Sequence, residues 1–211
     1  TGISPAGARY EAPETISDHA RFEDVHKGGY DPAQHLKDMV IDGVYGEVLY
    51  PSQGLFYYKV ADPQLFSAIC RTYNDWLAEF CSKAPGRFAG IGCLASSNPQ
   101  EMTREIEFCA KLGLKGAELG LSYDMLPLWH DDWEPVYRAC AETGVPLHIH
   151  TIGPATETRW IQNPATYRRW LATHIGSFQI PMLAVLAAVL FGGAPERHPK
   201  LRVVIGESGI G

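Results

Sequence analysis

FAGIGCLASSNPQEMTREIEFCAKLGLKGAEL, from Phe88 to Leu119, carries a strand, a loop, a helix and a second strand in one short passage. Phe88 to Leu94 is a nearly continuous apolar run, as expected of a strand covered on both faces. Asn98-Pro99 then offers a capping side chain followed by proline at the first helical position. Met102, Ile106 and Cys109 fall at helical spacing behind it, and Gly113 stands where a helix C-terminal cap belongs. Lys115 to Leu119 opens the next apolar run. Two buried strands joined by one amphipathic helix make a parallel βαβ unit.

The same grammar extends in both directions. Further candidate strands are Val44 to Tyr50, Val145 to His150 and Leu201 to Gly206, and Asp31-Pro32 and Asp62-Pro63 repeat the helix-start signal. A shorter helix is expected after Asp131 or Asp132, ending before Gly144, and the stretch from about Pro164 to Gly193 should form two pieces, broken near Gly176 and Pro181. Strands starting near residues 44 and 202 are four repeats apart, a pitch of about 40 residues, so a closed eight-stranded βα barrel would need about 320. At 211 residues this chain is too short to close one. Its last residues follow a strand directly, and residues 1 to 30 are rich in Gly, Pro and charge with no sustained period. The expectation is a single partial (β/α) barrel domain over residues 1 to 211, cut at both ends, with a long irregular N-terminal segment.

Composition excludes several classes. The chain has 45% hydrophobic and 20% charged residues and a formal charge of -6, with Lys and Arg scattered, so it has no basic footprint for nucleic acid. The longest apolar run, Ile180 to Gly193, contains Pro181 and falls short of the roughly 20 residues of a bilayer span. No membrane partner is expected. Five cysteines form no CxxC and are odd in number, which reads as reduced thiols of a cytosolic, cytoplasmic protein.

In parallel α/β proteins, function collects at the carboxyl ends of strands. Tyr50 stands at the first such end, Glu118 at the third, His148 and His150 at the fourth, and Glu207 at the fifth. His148 and His150 alternate with Leu147 and Ile149, so both imidazoles share one face. That pattern suits a cavity, a core network or a metal, because neutral imidazole and carboxylate are ligands for Zn²⁺ or Mn²⁺. A carboxylate at Glu207 equally suits a helix cap. No Walker loop, GxGxxG or GxSxG motif is present.

Together with Gly29-Tyr-Asp-Pro32, Val48-Leu-Tyr-Pro51, Tyr73-Asn-Asp-Trp76, Pro85-Gly-Arg-Phe88, Val145-Pro-Leu-His-Ile-His150 and the segment Glu196 to Gly211, these residues resemble the amidohydrolase-related family of metal-dependent TIM barrels. That group includes aminocarboxymuconate-semialdehyde decarboxylase and γ-resorcylate decarboxylase. The resemblance implies that the five strands are barrel strands two to six, that His150 is a metal ligand and that His148 is not a usual one; His148 is then expected to contact substrate or to support the site from behind. It also implies a catalytic group at Glu207, where those decarboxylases carry a histidine. Glutamate cannot act as an imidazolium near neutral pH but can take a proton from an attacking water.

The expectation is therefore a metal-dependent hydrolase, with Zn or Mn as cofactor, acting on a small organic acid or related carbonyl compound. A metal-dependent non-oxidative decarboxylase, a lyase, is the alternative enzyme, and a non-catalytic α/β fragment is the alternative of another class. Strands two to six alone would leave unpaired edges, which favours association into a homo-oligomer. The 211-residue chain by itself is expected to be inactive.

Overall fold

The computed structural model describes residues 23, 25–51, 60–95, 98–121, 125–150, 163–177, 179–206 and 208. Five strands, β1 (Glu47–Leu49), β2 (Phe88–Leu94), β3 (Gly116–Leu119), β4 (Leu147–Ile149) and β5 (Val203–Ile205), form one sheet in the order β1-β2-β3-β4-β5. Every neighbouring pair is parallel. Because spatial order follows chain order without reversal, right-handed crossovers place the connecting helices on one side of the sheet. This singly wound arrangement is the incomplete (β/α)₈ barrel expected from the repeat, as distinct from a doubly wound sheet with a switch point.

The helices are α1 (Pro32–Asp42), α2 (Pro63–Ser82), α3 (Pro99–Leu112), α4 (Glu134–Thr143), α5 (Pro164–Ser177), α6 (Ile180–Phe191) and α7 (Ala194–Arg197). Their starts are set as the sequence indicates: Asp31, Asp62 and Asn98 each accept hydrogen bonds from amides of the first turn, with proline following. Gly113 and Gly144, at φ 76° and 72°, end α3 and α4 in the left-handed region. One start differs from expectation. Residues Asp131–Trp133 form a 3₁₀ turn, and α4 proper begins at Glu134. His130 accepts a hydrogen bond from the Asp132 amide, so an imidazole occupies the capping role assigned to an aspartate.

The core lies between the sheet and its helices. Ala117, Leu119, Leu147 and Ile149 on the sheet pack with Ile106, Cys109, Val136 and Met182, all buried. A β-carbon on Gly90 would meet Leu77 and Cys81, and one on Gly92 would meet Cys109, Asn74 and Leu114. Gly90 and Gly92 of β2 therefore face the helices and Ala89 and Ile91 face the other way, while Cys93, near the end of the strand, packs with Phe66 and Cys70 of α2. By register the same inner face carries Val48, Glu118, His148 and Val204.

All five cysteines are free thiols. Burial pushes the Cys109 and Cys140 thiols up to about 12, so both are inert packing residues. Helix α6 is apolar all round, with Ile180, Leu183, Leu190 and Phe191 exposed, and the stretch Ile180–Arg197 is apolar enough by composition to be a membrane span. Its geometry argues against that. Gly193, at φ 73°, separates α6 from α7, and a helix of 12 residues rises about 18 Å, short of the roughly 30 Å hydrocarbon layer.

Candidate active site

The inner face collects polar groups at the carboxyl ends of the strands. Cys93, Glu118, His148 and Val204 are register partners from β2 to β5 and form one row across the sheet. His150 lies beyond this row, next to Gly206, whose amide donates to the Ile149 carbonyl at 2.8 Å. The alternation read from the sequence holds: Leu147 and Ile149 are in the core and the two imidazoles share the opposite face.

The rings do not stack on each other. A β-carbon on Gly116 would lie 2.4 Å from His148 Nε2, whereas one on Gly206 would lie 3.0 Å from His150 Cδ2. His148 therefore leans over β3 and His150 over the end of β5. The space His148 fills is left open by glycine at 116, and a β-carbon at 206 would require His150 to give way by a few tenths of an ångström. Tyr50, just past β1, touches both, with ring centroids 5.4 Å from His148 and 5.9 Å from His150. Its hydroxyl is hydrogen-bonded to His148 Nδ1 at 2.7 Å.

Burial controls the charge of this row. His148 is 7% exposed, and desolvation lowers it to about 4, so it is a neutral imidazole at physiological pH. Glu118 is 3% exposed, and desolvation raises it to about 7. An ion pair between the two would shift both the other way. Although they are register neighbours, each answers to the apolar surroundings. The Tyr50 phenol is also raised, first by burial and then by the Glu118 charge. Glu118 Oε1 has no hydrogen-bond partner among the described residues.

Behind the face, Asn74 on α2 fixes the end of β2. Its Oδ1 accepts from the Cys93 amide at 2.7 Å, and its Nδ2 donates to the Cys93 carbonyl and to Glu105 Oε1. Glu105 in turn accepts two hydrogen bonds from Arg71 through Oε2. This fully satisfied network ties α2, α3 and β2 together.

Of the residues singled out by sequence, His148 and His150 are brought together, and Glu207 lies outside the described residues. Tyr50 and Glu118 were visible only as strand ends. The signal that could have promoted Glu118 is a charged residue at an inward position of a four-residue strand whose other members are apolar or glycine. Among the described residues no group of three or more His, Cys, Asp or Glu side chains is placed to hold a metal ion. His150 can supply one ligand, so the described residues fit part of a metal site and do not complete one.

A family model described as Amidohydrolase matches residues 22–211. The chain belongs to this amidohydrolase family. A curated relative, 2-amino-3-carboxymuconate-6-semialdehyde decarboxylase of Dictyostelium discoideum, is 26% identical over 189 residues, covering 89% of this chain and 50% of the relative. Gamma-resorcylate decarboxylase of a Polaromonas species is 28% identical over 159 residues, covering 72% and 48%. Among solved structures, 5-carboxyvanillate decarboxylase of Novosphingobium aromaticivorans, with bound manganese and 3-methoxy-4-hydroxy-5-nitrobenzoic acid, superposes with a TM-score of 0.68 at 26% identity, covering 82% of this chain and 48% of that one. This amidohydrolase-family chain thus spans about half the length of the curated relatives it matches. Those relatives are enzymes named as decarboxylases, which favours the decarboxylase reading over the hydrolase reading that the carboxylate at Glu207 suggested.

Proposed function

We propose that this chain belongs to a metal-dependent, non-oxidative decarboxylase acting on a small carboxylated aromatic or related unsaturated acid. The observation that carries the proposal is that the named decarboxylases match most of the chain, 72% to 89% of it. His150 is the metal ligand supplied by these strands, completed by ligands outside the described residues, and Mn²⁺ or Zn²⁺ is the ion. A bound divalent ion would withdraw charge from the substrate's oxygens. His148, neutral and anchored by the Tyr50 hydroxyl, meets the substrate as a hydrogen-bonding group of fixed orientation. The bond from the ring or chain carbon to the carboxyl breaks, CO₂ leaves, and a proton takes its place on that carbon. Glu207 is the group we assign to proton handling.

A second reading, hydrolysis, is favoured by glutamate at position 207, since a carboxylate can take a proton from water. Product analysis separates the two. Full-length protein loaded with Mn²⁺ should release CO₂ from an aromatic acid without adding water to any substrate, and net water addition would instead establish the hydrolase. His150→Ala should lose metal by elemental analysis while keeping its far-ultraviolet circular dichroism. Unchanged metal content would remove His150 from the site.

A further inference from the structure

His35, on α1, holds three segments together. Its Nδ1 lies 2.6 Å from the carbonyl oxygen of Gly28, in the 3₁₀ turn Lys27–Gly29, and its Nε2 lies 2.6 Å from Glu47 Oε2, at the start of β1. Both partners are acceptors, since neither a carbonyl nor an ionised carboxylate can donate. A neutral imidazole has one N–H and one lone pair, so it would turn that lone pair against one of the two oxygens. The imidazolium serves both. The ring is also confined: Phe80 of α2 and Phe88 of β2 pack against it edge to face, with centroids 5.7 and 5.4 Å away. The charged groups that face it favour the cation. Glu47 approaches from β1 and Asp38 from its own helix, and His26 stands on the far side of Asp38, 2.7 Å from its Oδ2.

Glu47 links this clasp to the strand ends. Among the described residues β1 pairs with β2 over Glu47, Val48 and Leu49, and Tyr50 follows directly. Leu49 packs into the core on the helix side, as Glu47 does by alternation, while Val48 and Tyr50 face inward. A displacement at Glu47 therefore reaches, within three residues, the Tyr50 hydroxyl that bonds His148 Nδ1 and the Tyr50 ring that touches His150.

We propose that His35 is a positioning residue for the strand-end site: loss of a proton from its imidazolium frees Glu47, loosens β1 and weakens the Tyr50–His148 contact. The folded state favours the cation, so the clasp is closed on the acid side and opens as pH rises through the folded value of His35, above 6.5.

The test is ¹⁵N NMR of the histidine rings in full-length protein loaded with Zn²⁺, from about pH 6 to about pH 9. At the acid end both His35 nitrogens should carry protons. As His35 loses one, the His148 Nδ1 signal should move toward that of an unbonded nitrogen along the same curve. His148 does not itself titrate there, because burial lowers it to about 4. Glu118, its register neighbour, is raised by burial to about 7 and does titrate there, so the parent is compared with Glu47→Gln, which keeps Glu118. In that variant the new carboxamide can donate to Nε2, and a neutral His35 then satisfies both contacts. Glu47→Gln should retain the Tyr50–His148 contact at both ends of the range, leaving the Glu118 part of the shift. His35→Leu should show the relaxed His148 signal at every pH, which gives a second readout if Glu47→Gln folds poorly. The inference is overturned if His35 in the parent is neutral at pH 6, if His148 ignores the titration of His35, or if Glu47→Gln keeps the full pH dependence. None of these signals depends on which reaction the site performs. If the site is a decarboxylase, kcat/KM of the parent should also fall about tenfold along the His35 curve and by less in Glu47→Gln. A flat parent profile would overturn the positioning role, whereas absence of CO₂ release would remove the decarboxylase reading and leave the clasp standing.

Discussion

The Tyr50 hydroxyl and His148 Nδ1, 98 residues apart in sequence, are hydrogen-bonded at 2.7 Å across the inner face of the sheet. Tyr50→Phe keeps the ring and removes the bond, leaving a buried imidazole nitrogen without its partner. The expected loss is about 1–2 kcal/mol of unfolding free energy by urea titration, with no change in the slope of the transition. A change below about 0.3 kcal/mol would mean that water replaces the hydroxyl at no cost.

Gly116→Ala should be more harmful than its size suggests. The new methyl would fall 2.4 Å from His148 Nε2, which forces the ring off its position over β3. Overpacking of this kind destabilises by about 1–3 kcal/mol. The pair Gly116→Ala and Tyr50→Phe should be non-additive, because both act on the same ring. Additive unfolding energies in the double variant would contradict that coupling.

These contacts show where sequence reading stops. Helix starts at Asp31, Asp62 and Asn98 were legible because capping is local: the side chain and the amides it serves lie within three residues. Strand parity was legible for the same reason and put both histidines on one face. The lean of His148 toward Gly116 and of His150 toward Gly206 was not legible, because each depends on register between strands far apart in sequence. Tyr50 was recognisable as a strand end, but its reach to His148 crosses two intervening strands, and no periodicity encodes that. Glu118 looked like one strand end among several until its burial and orphaned oxygen set it apart.

The raised pKa of Glu118 has a consequence whose sign can be checked. Between the unfolded value near 4.5 and the folded value of about 7, the native state holds the proton and the unfolded chain does not. Stability should therefore fall as pH rises through that window. The glutamine variant cannot titrate there. The stability of Glu118→Gln minus that of the parent should grow by about 3 kcal/mol from pH 4.5 to 7, as an order of magnitude, measured by chemical denaturation at several pH values. A flat difference would show that the carboxyl is solvated in solution.

His35 gives the same sign of dependence from a different cause. Burial lowers its pKa, but the Glu47 carboxylate, the Gly28 carbonyl and the nearby charges outweigh that and leave it above 6.5. Nδ1 donates to Gly28 O and Nε2 meets Glu47 Oε2, both at 2.6 Å, so the protonated ring uses both nitrogens as donors. Its stabilisation is complete below the unfolded value of 6.5 and is lost as pH rises through the raised folded value. His35→Gln should destabilise by about 1–2 kcal/mol near pH 6 and by clearly less near pH 9, because the charge-assisted bond is then already gone in the parent. Equal losses at both pH values would exclude a protonated His35.

Among the described residues β1 pairs with β2 only as far as Leu49 and Gly90, and β2 runs on to Leu94. The backbone amide and carbonyl of Cys93 are both taken by the Asn74 carboxamide. One side chain of α2 thus offers that residue an acceptor and a donor, as a neighbouring strand would. Protection of the Cys93 amide against deuterium exchange will consequently report on how firmly α2 is docked, rather than on the integrity of the sheet to which that amide belongs.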